Sequence, residues 1–566
     1  MSADAPLKVV FCWHMHQPDY RGPDDSDFQL PWVYLHAIKD YSDMAYHLER
    51  YPKAKGVVNF APVLLEQMED YAAQIREWLN KGTLIKDPLL AALAGPGLPV
   101  DQESRRSLIL ACRKANEEHL INRFRPLRNL HELSRTIDLH KRNILYFNDQ
   151  FIVDLMVWYH LAWIGEFARI NDLRILSLEK KRKNYTAADR RCLVEAIGDL
   201  ISGIIGRYRR LAESGQVELS VTPFAHPIVP LLLDIDSTKE AMPDAELPSL
   251  KKYPGGEPRA RWHIRKGIEA FERHFGFLPA GCWPSEGAVS AETLRLLEEE
   301  GFRWAASGQQ VLHNSLVASQ VSPLPENWIH QPYRLKQGNL SCFFRDDGLS
   351  DLIGFTYGKW HAEDAVANFI QHLENIETST KGKTDRVVSI IMDGENAWEY
   401  YPRNGCFFFE ALYRKLTEHP RLQMSTFSES LDQIGATKNT ITSLTAGSWV
   451  YGSFSTWIGD SEKNRGWDML IEAKQVYDRV IASGRLDEKH QQEAEMQLAR
   501  CEGSDWFWWF GDYNPGSTVS DFERLFRSQL THLYMLLGEK PPEYLLHVFT
   551  TGKGDPSHGG VMRQNV

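Results

Sequence analysis

Short apolar runs alternate with helical patterns along much of this chain, and that alternation restricts its fold more than any other feature. Seven runs rich in β-branched and aromatic residues end in polar or glycine-containing segments, at 7–13, 56–60, 217–221, 278–283, 302–306, 340–344 and 387–392. Amphipathic helical patterns lie between many of them, at 41–50, 64–79, 260–275, 291–300 and 363–376. A strand that reaches its neighbour through a helix runs parallel to it. Seven such strands, with chemistry-bearing residues just past their ends, imply an α/β fold: an incomplete seven-stranded β/α barrel with its site at the C-terminal ends of the strands. An open, doubly wound sheet is the alternative.

The stretch from about 81 to 211 is helix-rich and strand-poor, so it reads as an insertion, with the apolar segment 154–167 buried inside it. A further strand candidate is 422–427. Beyond 435 helical periodicity takes over, at 468–483, 488–501 and 520–537. The expected organisation is a catalytic barrel over 1–435, a C-terminal helical domain over 436–550 that completes the cleft, and a disordered tail over 551–566.

Charge and cysteine content exclude several functions. The net charge is −11 with no long basic run, which argues against nucleic acid as a partner, because phosphate binding needs clustered Lys and Arg. A neutral polymer remains compatible. The seven cysteines are odd in number, scattered and without a CxxC pair, so neither a disulfide framework nor a thiolate metal site is indicated. The N-terminus lacks the basic and apolar regions of a signal peptide, and no stretch has the apolar length of a membrane span. The expectation is a cytoplasmic protein with no membrane partner. Seventeen tryptophans admit two readings, stacking on sugar rings or filling a core. Only position separates them.

The strand ends carry the chemistry. Glu286 in WPSEGAV follows one apolar run and Asp393 in IMDGENAW follows another. Two carboxylates delivered by separate strand ends to one cleft are what glycosidic bond cleavage needs: one attacks the anomeric carbon and one protonates the leaving oxygen. Glu286 could instead be the acidic first-turn residue of the next helix. Trp283, three residues earlier, reads as a sugar platform. Glu395 stands two residues from Asp393, and acids this close shift each other's titration. Asp393 is therefore expected to have a raised pKa and to act as proton donor.

HMHQP ends the first run with His14 and His16. Imidazoles at this spacing can bind a metal or hydrogen-bond a neutral ligand, or they can be satisfied strand-end histidines. In GQVELSVTPFAHP, Glu218 interrupts an apolar alternation and His226 follows it. A carboxylate there is costly unless used or paired, for example with a helix N-terminus or an arginine. STWIGDSEKNRGW offers Trp457 and Asp460, which could close over a bound chain. EGSDWFWWFGD reads chiefly as helix packing.

Taken in order, HMHQP, GQVELSVTPFAHP, GCWPSEGAV, IMDGENAWEYYP and TWIGDSEKNRGW resemble the five sequence regions of glycoside hydrolase family 57. The resemblance runs from residue 8 to about residue 540. It implies an incomplete β/α barrel followed by a helical domain, and cleavage of α-glucans with retention of configuration. Glu286 matches the family's nucleophile and Asp393 its general acid/base. His14, His16, Glu218, His226, Trp283, Glu395, Trp457 and Asp460 match positions lining the family's cleft. No cofactor or metal is required. The wording WPSE, DGENAWEYYP and TWIGDSEKN most resembles the α-amylase and amylopullulanase branch, so the expected activity is hydrolysis of α-1,4 bonds in glycogen, starch or maltodextrins, with cleavage of α-1,6 bonds left open. A 4-α-glucanotransferase or branching enzyme would use the same carboxylate pair. A metal-dependent deacetylase or mannosidase using the HxH motif is a third reading.

Overall fold

The alternating apolar runs form one ten-stranded sheet in the computed structural model, which describes residues 5–23 and 27–554. The strands are β1 (Leu7–Met15), β2 (Gly56–Phe60), β3 (Val217–Val221), β4 (Gly281–Cys282), β5 (Trp304–Ser307), β6 (Tyr333–Leu335), β7 (Ser341–Phe344), β8 (Val387–Asp393), β9 (Leu422–Met424) and β10 (Asn439–Ile441). Their order is β10-β6-β7-β5-β4-β3-β2-β1-β8, with β9 also paired to β1. Every pairing is parallel except that of β6 with β7. The run from β7 to β1 follows chain order with no reversal, unlike a doubly wound sheet. Its two ends also meet: Arg345, just past β7, bridges Ser389 of β8, and the Asp346 amide donates to the Ser389 carbonyl at 2.8 Å. The sheet is a curled barrel closed by this short link.

Strand alternation sorts the side chains into two cores. On β1, Val9, Phe11, Trp13 and Met15 pack outward into the large core beneath the helices. Val10 and Cys12 point inward, where they join Val57, Trp283, Trp304, Phe343 and Ile391 in a separate barrel core. The helix Phe427–Ile434 plugs the N-terminal end of that barrel with Phe427 and Leu431. Replacing Trp304, buried there, with Ala would cost about 3–5 kcal/mol in lost transfer energy and cavity. The inward register carries on to the strand ends, where it becomes functional: His14 follows Val10 and Cys12 on one face, and Asp393 follows Ile391 on another.

The helical insertion lies between β2 and β3. Its last helix, Ala187–Glu213, starts at a capping box made by Thr186 and Asp189. It packs on the helix Pro62–Lys81, which opens with proline in its first turn and stops at Gly82 with φ 72°. The chain past 435 does not turn helical at once. It first adds β10 to the sheet edge, crosses the top of the barrel, and only then forms the helices Ser461–Ala482, Glu488–Cys501, Asp505–Trp509 and Gly516–Leu536. Aromatic rings hold these together, as in the stacked pair Trp467–Phe507 at 4.6 Å. Of the expected tail, Lys553 and Gly554 hydrogen-bond to the carbonyls of Asp512 and Asn514, and 555–566 lie outside the described residues. All seven cysteines are unpaired. Among the described residues no helix is long and apolar enough to cross a membrane.

Candidate active site

A cleft of about 570 Å³ opens over the C-terminal ends of the strands, and Glu286, Asp393, Glu395, His14 and His16 all line it. The chain reaches Glu286 by a tight turn, Ser285–Gly287, immediately after β4. Glu286 itself has φ 58° and ψ 24°, a left-handed conformation that costs a non-glycine residue about 1–2 kcal/mol. Hydrogen bonds hold it there: the Trp449 amide donates to the Glu286 carbonyl at 3.1 Å and the Ser307 hydroxyl donates to the Gly287 carbonyl at 2.6 Å. Gly287 is needed for fit as well as for its φ of 56°, since a Cβ there would lie 2.7 Å from the Trp283 ring. The carboxylate accepts from Trp449 Nε1 at 3.0 Å, and its other oxygen lies 3.9 Å from His226 Nδ1.

Asp393 ends β8 in register with His14 of β1. Gly394 lets the chain turn away, because a Cβ at that position would strike the Met15 sulfur at 2.1 Å. Burial pushes the Asp393 carboxyl up to about 6, against the pull of the Asn396 side-chain amide, which donates to it at 2.8 Å, and of Arg345. Glu395 is deeper. It accepts from Gln17 Nε2 at 3.2 Å, and burial followed by the Asp393 charge holds it well above the usual carboxylate range. Of the two acids, Asp393 is the one poised to exchange a proton near neutrality.

The histidines form a stack. His16 and His226 lie face to face with ring centroids 3.7 Å apart, and His14 is 5.5 Å and 5.3 Å from them. Burial lowers His14 to about 3 and holds His226 well below the usual imidazole value. His14 Nδ1 meets Asn59 Oδ1 at 2.7 Å. That oxygen also accepts from Thr222 Oγ1, while Asn59 Nδ2 donates to Ser220, so His14 carries its proton on Nδ1 and leaves Nε2 as an acceptor. Nitrogens of the three rings come within 4.8 Å of one another. The planes, however, are within 16–18° of parallel. Stacked rings aim their lone pairs side by side rather than at one point, which suits hydrogen bonds to hydroxyl groups better than a metal's coordination shell.

Four expected contacts fall elsewhere. Glu218 points into the opposite end of the barrel, where it accepts from Trp304 Nε1 at 2.6 Å and from the amide and hydroxyl of Ser428 at a helix start. The carboxylate is satisfied there by a helix N-terminus, away from the cleft. Trp283 is 0% exposed, so its ring offers no face to a sugar; it packs edge-on against Trp449 at 5.3 Å. Trp457 is likewise 0% exposed and packs on Trp508. Asp460 caps the helix Ser461–Ala482 by accepting from the Glu462 amide at 2.8 Å.

Other residues take their places on the wall. Trp449 comes from a glycine- and serine-rich crossing segment, and that setting is the only signal its sequence offers. Trp508 and Trp509 line the cleft although EGSDWFWWFGD reads as packing, while their neighbours Trp506 and Phe507 do pack. Trp32 and Trp163, from the helices before and within the insertion, face the cleft from the other side.

Comparison with known proteins agrees with this layout. The family model for glycosyl hydrolase family 57 matches residues 10–442. A GH57 branching enzyme from Thermococcus kodakaraensis has a similar fold, with a TM-score of 0.57 and 16% identity over 94% of this chain and 90% of that one. The α-amylase from Thermotoga maritima superposes with a TM-score of 0.55 and 14% identity over 94% and 93% of the two chains. A 4-α-glucanotransferase from Thermococcus litoralis gives 0.50 and 14% over 94% and 60%. No curated protein matches the sequence. With most of its length matched and its barrel and helical region arranged in the same way, this chain belongs to glycosyl hydrolase family 57.

Proposed function

We propose that the protein cleaves α-glucosidic bonds in glycogen, starch or maltodextrins with retention of configuration, Glu286 acting as nucleophile and Asp393 as general acid/base. The observation that carries this reading is the contrast between the two carboxylates of one cleft. Asp393 is pushed up to about 6 by burial, which suits a proton donor. Glu286 accepts the Trp449 indole N–H and faces His226, a setting that holds one carboxylate oxygen while the other stays directed for attack.

In the first step Asp393 gives its proton to the glycosidic oxygen as Glu286 bonds to the anomeric carbon, and the aglycone leaves. In the second, Asp393 takes a proton from the incoming acceptor, whose oxygen displaces Glu286. Neutral His14 presents Nε2 to the cleft as an acceptor for a sugar hydroxyl. The aromatic walls at Trp32, Trp508 and Trp509 offer apolar faces for sugar rings. Water as acceptor makes the enzyme an amylase or amylopullulanase. A sugar hydroxyl makes it a 4-α-glucanotransferase or a branching enzyme.

The experiment is the product ladder from pure maltoheptaose. Only shorter oligosaccharides are expected for hydrolysis. Products both longer and shorter would replace hydrolysis with transfer, and no turnover would remove the α-glucan reading.

A further inference from the structure

His16 and His226 belong to the barrel, yet the groups that hold their rings are two consecutive residues of the C-terminal helical region. Asp505 Oδ1 meets His16 Nε2 at 2.8 Å. Ser504 Oγ meets His226 Nδ1 at 2.8 Å, and the Ser504 amide donates to the His226 carbonyl at 2.9 Å. The dipeptide is itself anchored two residues upstream. The Glu502 side chain is 0% exposed and takes Arg259 Nη2 at 2.6 Å and His263 Nε2 at 2.7 Å, with the Tyr253 hydroxyl as a third partner. His263 also supports the turn that carries His226: its carbonyl accepts from the Phe224 amide at 2.9 Å, and its Nδ1 lies 3.4 Å from the Ala225 nitrogen. Both ends of the clamp are thus tied to the helix Gly256–Phe275.

We propose that Ser504 and Asp505 are positioning residues that set the tautomers and ring orientations of His226 and His16, and through them the surroundings of both carboxylates. A carboxylate is an acceptor, so His16 carries hydrogen on Nε2 and turns Nδ1, which is buried and has no hydrogen-bond partner, into an acceptor beside the cleft. His226 Nδ1 stands between Ser504 Oγ and, 3.9 Å away, Glu286 Oε1. With the carboxylate alongside, the Ser504 oxygen accepts the proton of Nδ1, which leaves His226 Nε2 bare, and Nε2 is buried and unpartnered. The C-terminal region therefore supplies more than a wall of the cleft. It fixes which nitrogen of each ring bears the proton.

The test reads tautomers first and kinetics second. Enzyme labelled with ¹⁵N-histidine should show His16 as the Nε2–H form and His226 as the Nδ1–H form. Ser504→Ala should mix the His226 tautomers, and Asp505→Asn should mix those of His16. In each variant kcat on maltoheptaose should fall on the order of 10²-fold, the cost of a misplaced group near the chemistry. Ser504→Thr and Asp505→Glu should restore most of both readouts. Native tautomers in Ser504→Ala and Asp505→Asn would overturn the proposal, as would unchanged kcat with altered tautomers. Should Ser504→Ala fail to fold, Ser504→Cys, which keeps the volume but accepts poorly, carries the same test. The kinetic arm rests on the α-glucan reading, whereas the spectra are taken on free enzyme. A native protein that leaves maltoheptaose intact removes that reading and leaves this one to the spectra.

Discussion

Trp449 grips Glu286 twice: its indole N–H donates to the carboxylate at 3.0 Å and its amide donates to the carbonyl at 3.1 Å, across 163 residues of sequence. The segment carrying Trp449 is pinned two residues earlier, where Gly447 pairs with Val289 just past the Glu286 turn. Arg345, which stands over the Trp449 ring at 5.5 Å, is also one of the charges that pull on Asp393. One crossing loop therefore holds the left-handed turn at Glu286 in place and connects it to the electrostatics of the second acid.

Replacing Trp449 with Phe keeps most of the ring and removes the donor. A hydrogen bond to a charged group contributes about 1.5–3 kcal/mol, so kcat should fall about tenfold to a hundredfold. Steady-state kinetics checks this, with a thermal melt to show that the fold survives. A variant as fast as the native enzyme would mean that the indole contact does not act on the nucleophile.

Replacing Glu286 with Gln exchanges the proposed attacking carboxylate for a neutral amide while leaving the shape of the turn. Turnover should fall by at least about 10³-fold, and maltoheptaose binding by calorimetry should persist. Near-native turnover would take the nucleophile's role away from Glu286.

The pH profile follows from Asp393. A proton donor works only while protonated, so kcat should decline as pH rises through about 6, the value to which burial raises this carboxyl. Asn396 stabilises the ionised form by donating to Oδ2. Asn396→Ala should therefore raise the Asp393 pKa and move the alkaline limb to higher pH. A limb that stays in place or moves to lower pH would contradict this assignment of the limb. The same burial has a consequence for stability. A carboxyl whose folded pKa is raised binds its proton more tightly when folded, so Asp393 favours the folded state least once the pH has passed from its ordinary value of 3.8 to above about 6. Asp393→Asn should flatten that part of the stability–pH curve, measured by urea unfolding.

Glu218 separates a structural carboxylate from a functional one. Glu218→Ala leaves Trp304 Nε1 and the Ser428 amide without their acceptor inside the barrel end. Such unsatisfied buried donors cost about 1–3 kcal/mol each, so the melting temperature should drop by several degrees. At a temperature where the variant is folded, kcat should remain near native. A large loss of kcat there would return Glu218 to the substrate's side of the barrel.

The strand runs and the two cleft carboxylates were legible for the same reason. A buried parallel strand must be apolar on both faces, so a carboxylate at its end stands out, as Glu286 and Asp393 do. All seven expected strands are present, two with the expected limits, at Gly56–Phe60 and Val217–Val221. Trp283 and Glu218 show where such reading stops. A tryptophan beside a candidate nucleophile and a carboxylate in an apolar strand look the same in sequence whether they face the ligand or the core. Only the packing around them decided, by burying Trp283 completely and giving Glu218 a helix start to bind.

Local pattern by itself determined the alternating strands and helices, the helical insertion before β3, and the placing of two acids and two histidines at strand ends. These properties depend on residues a few positions apart, which is the range over which side-chain periodicity acts. The tertiary structure alone decided which distant groups hold those residues. Trp449 reaches Glu286 and Asp505 reaches His16 across 163 and 489 residues, and no periodicity spans such a distance. Those pairings exist only because the barrel curls until β7 meets β8 and the C-terminal helices pack across its open top.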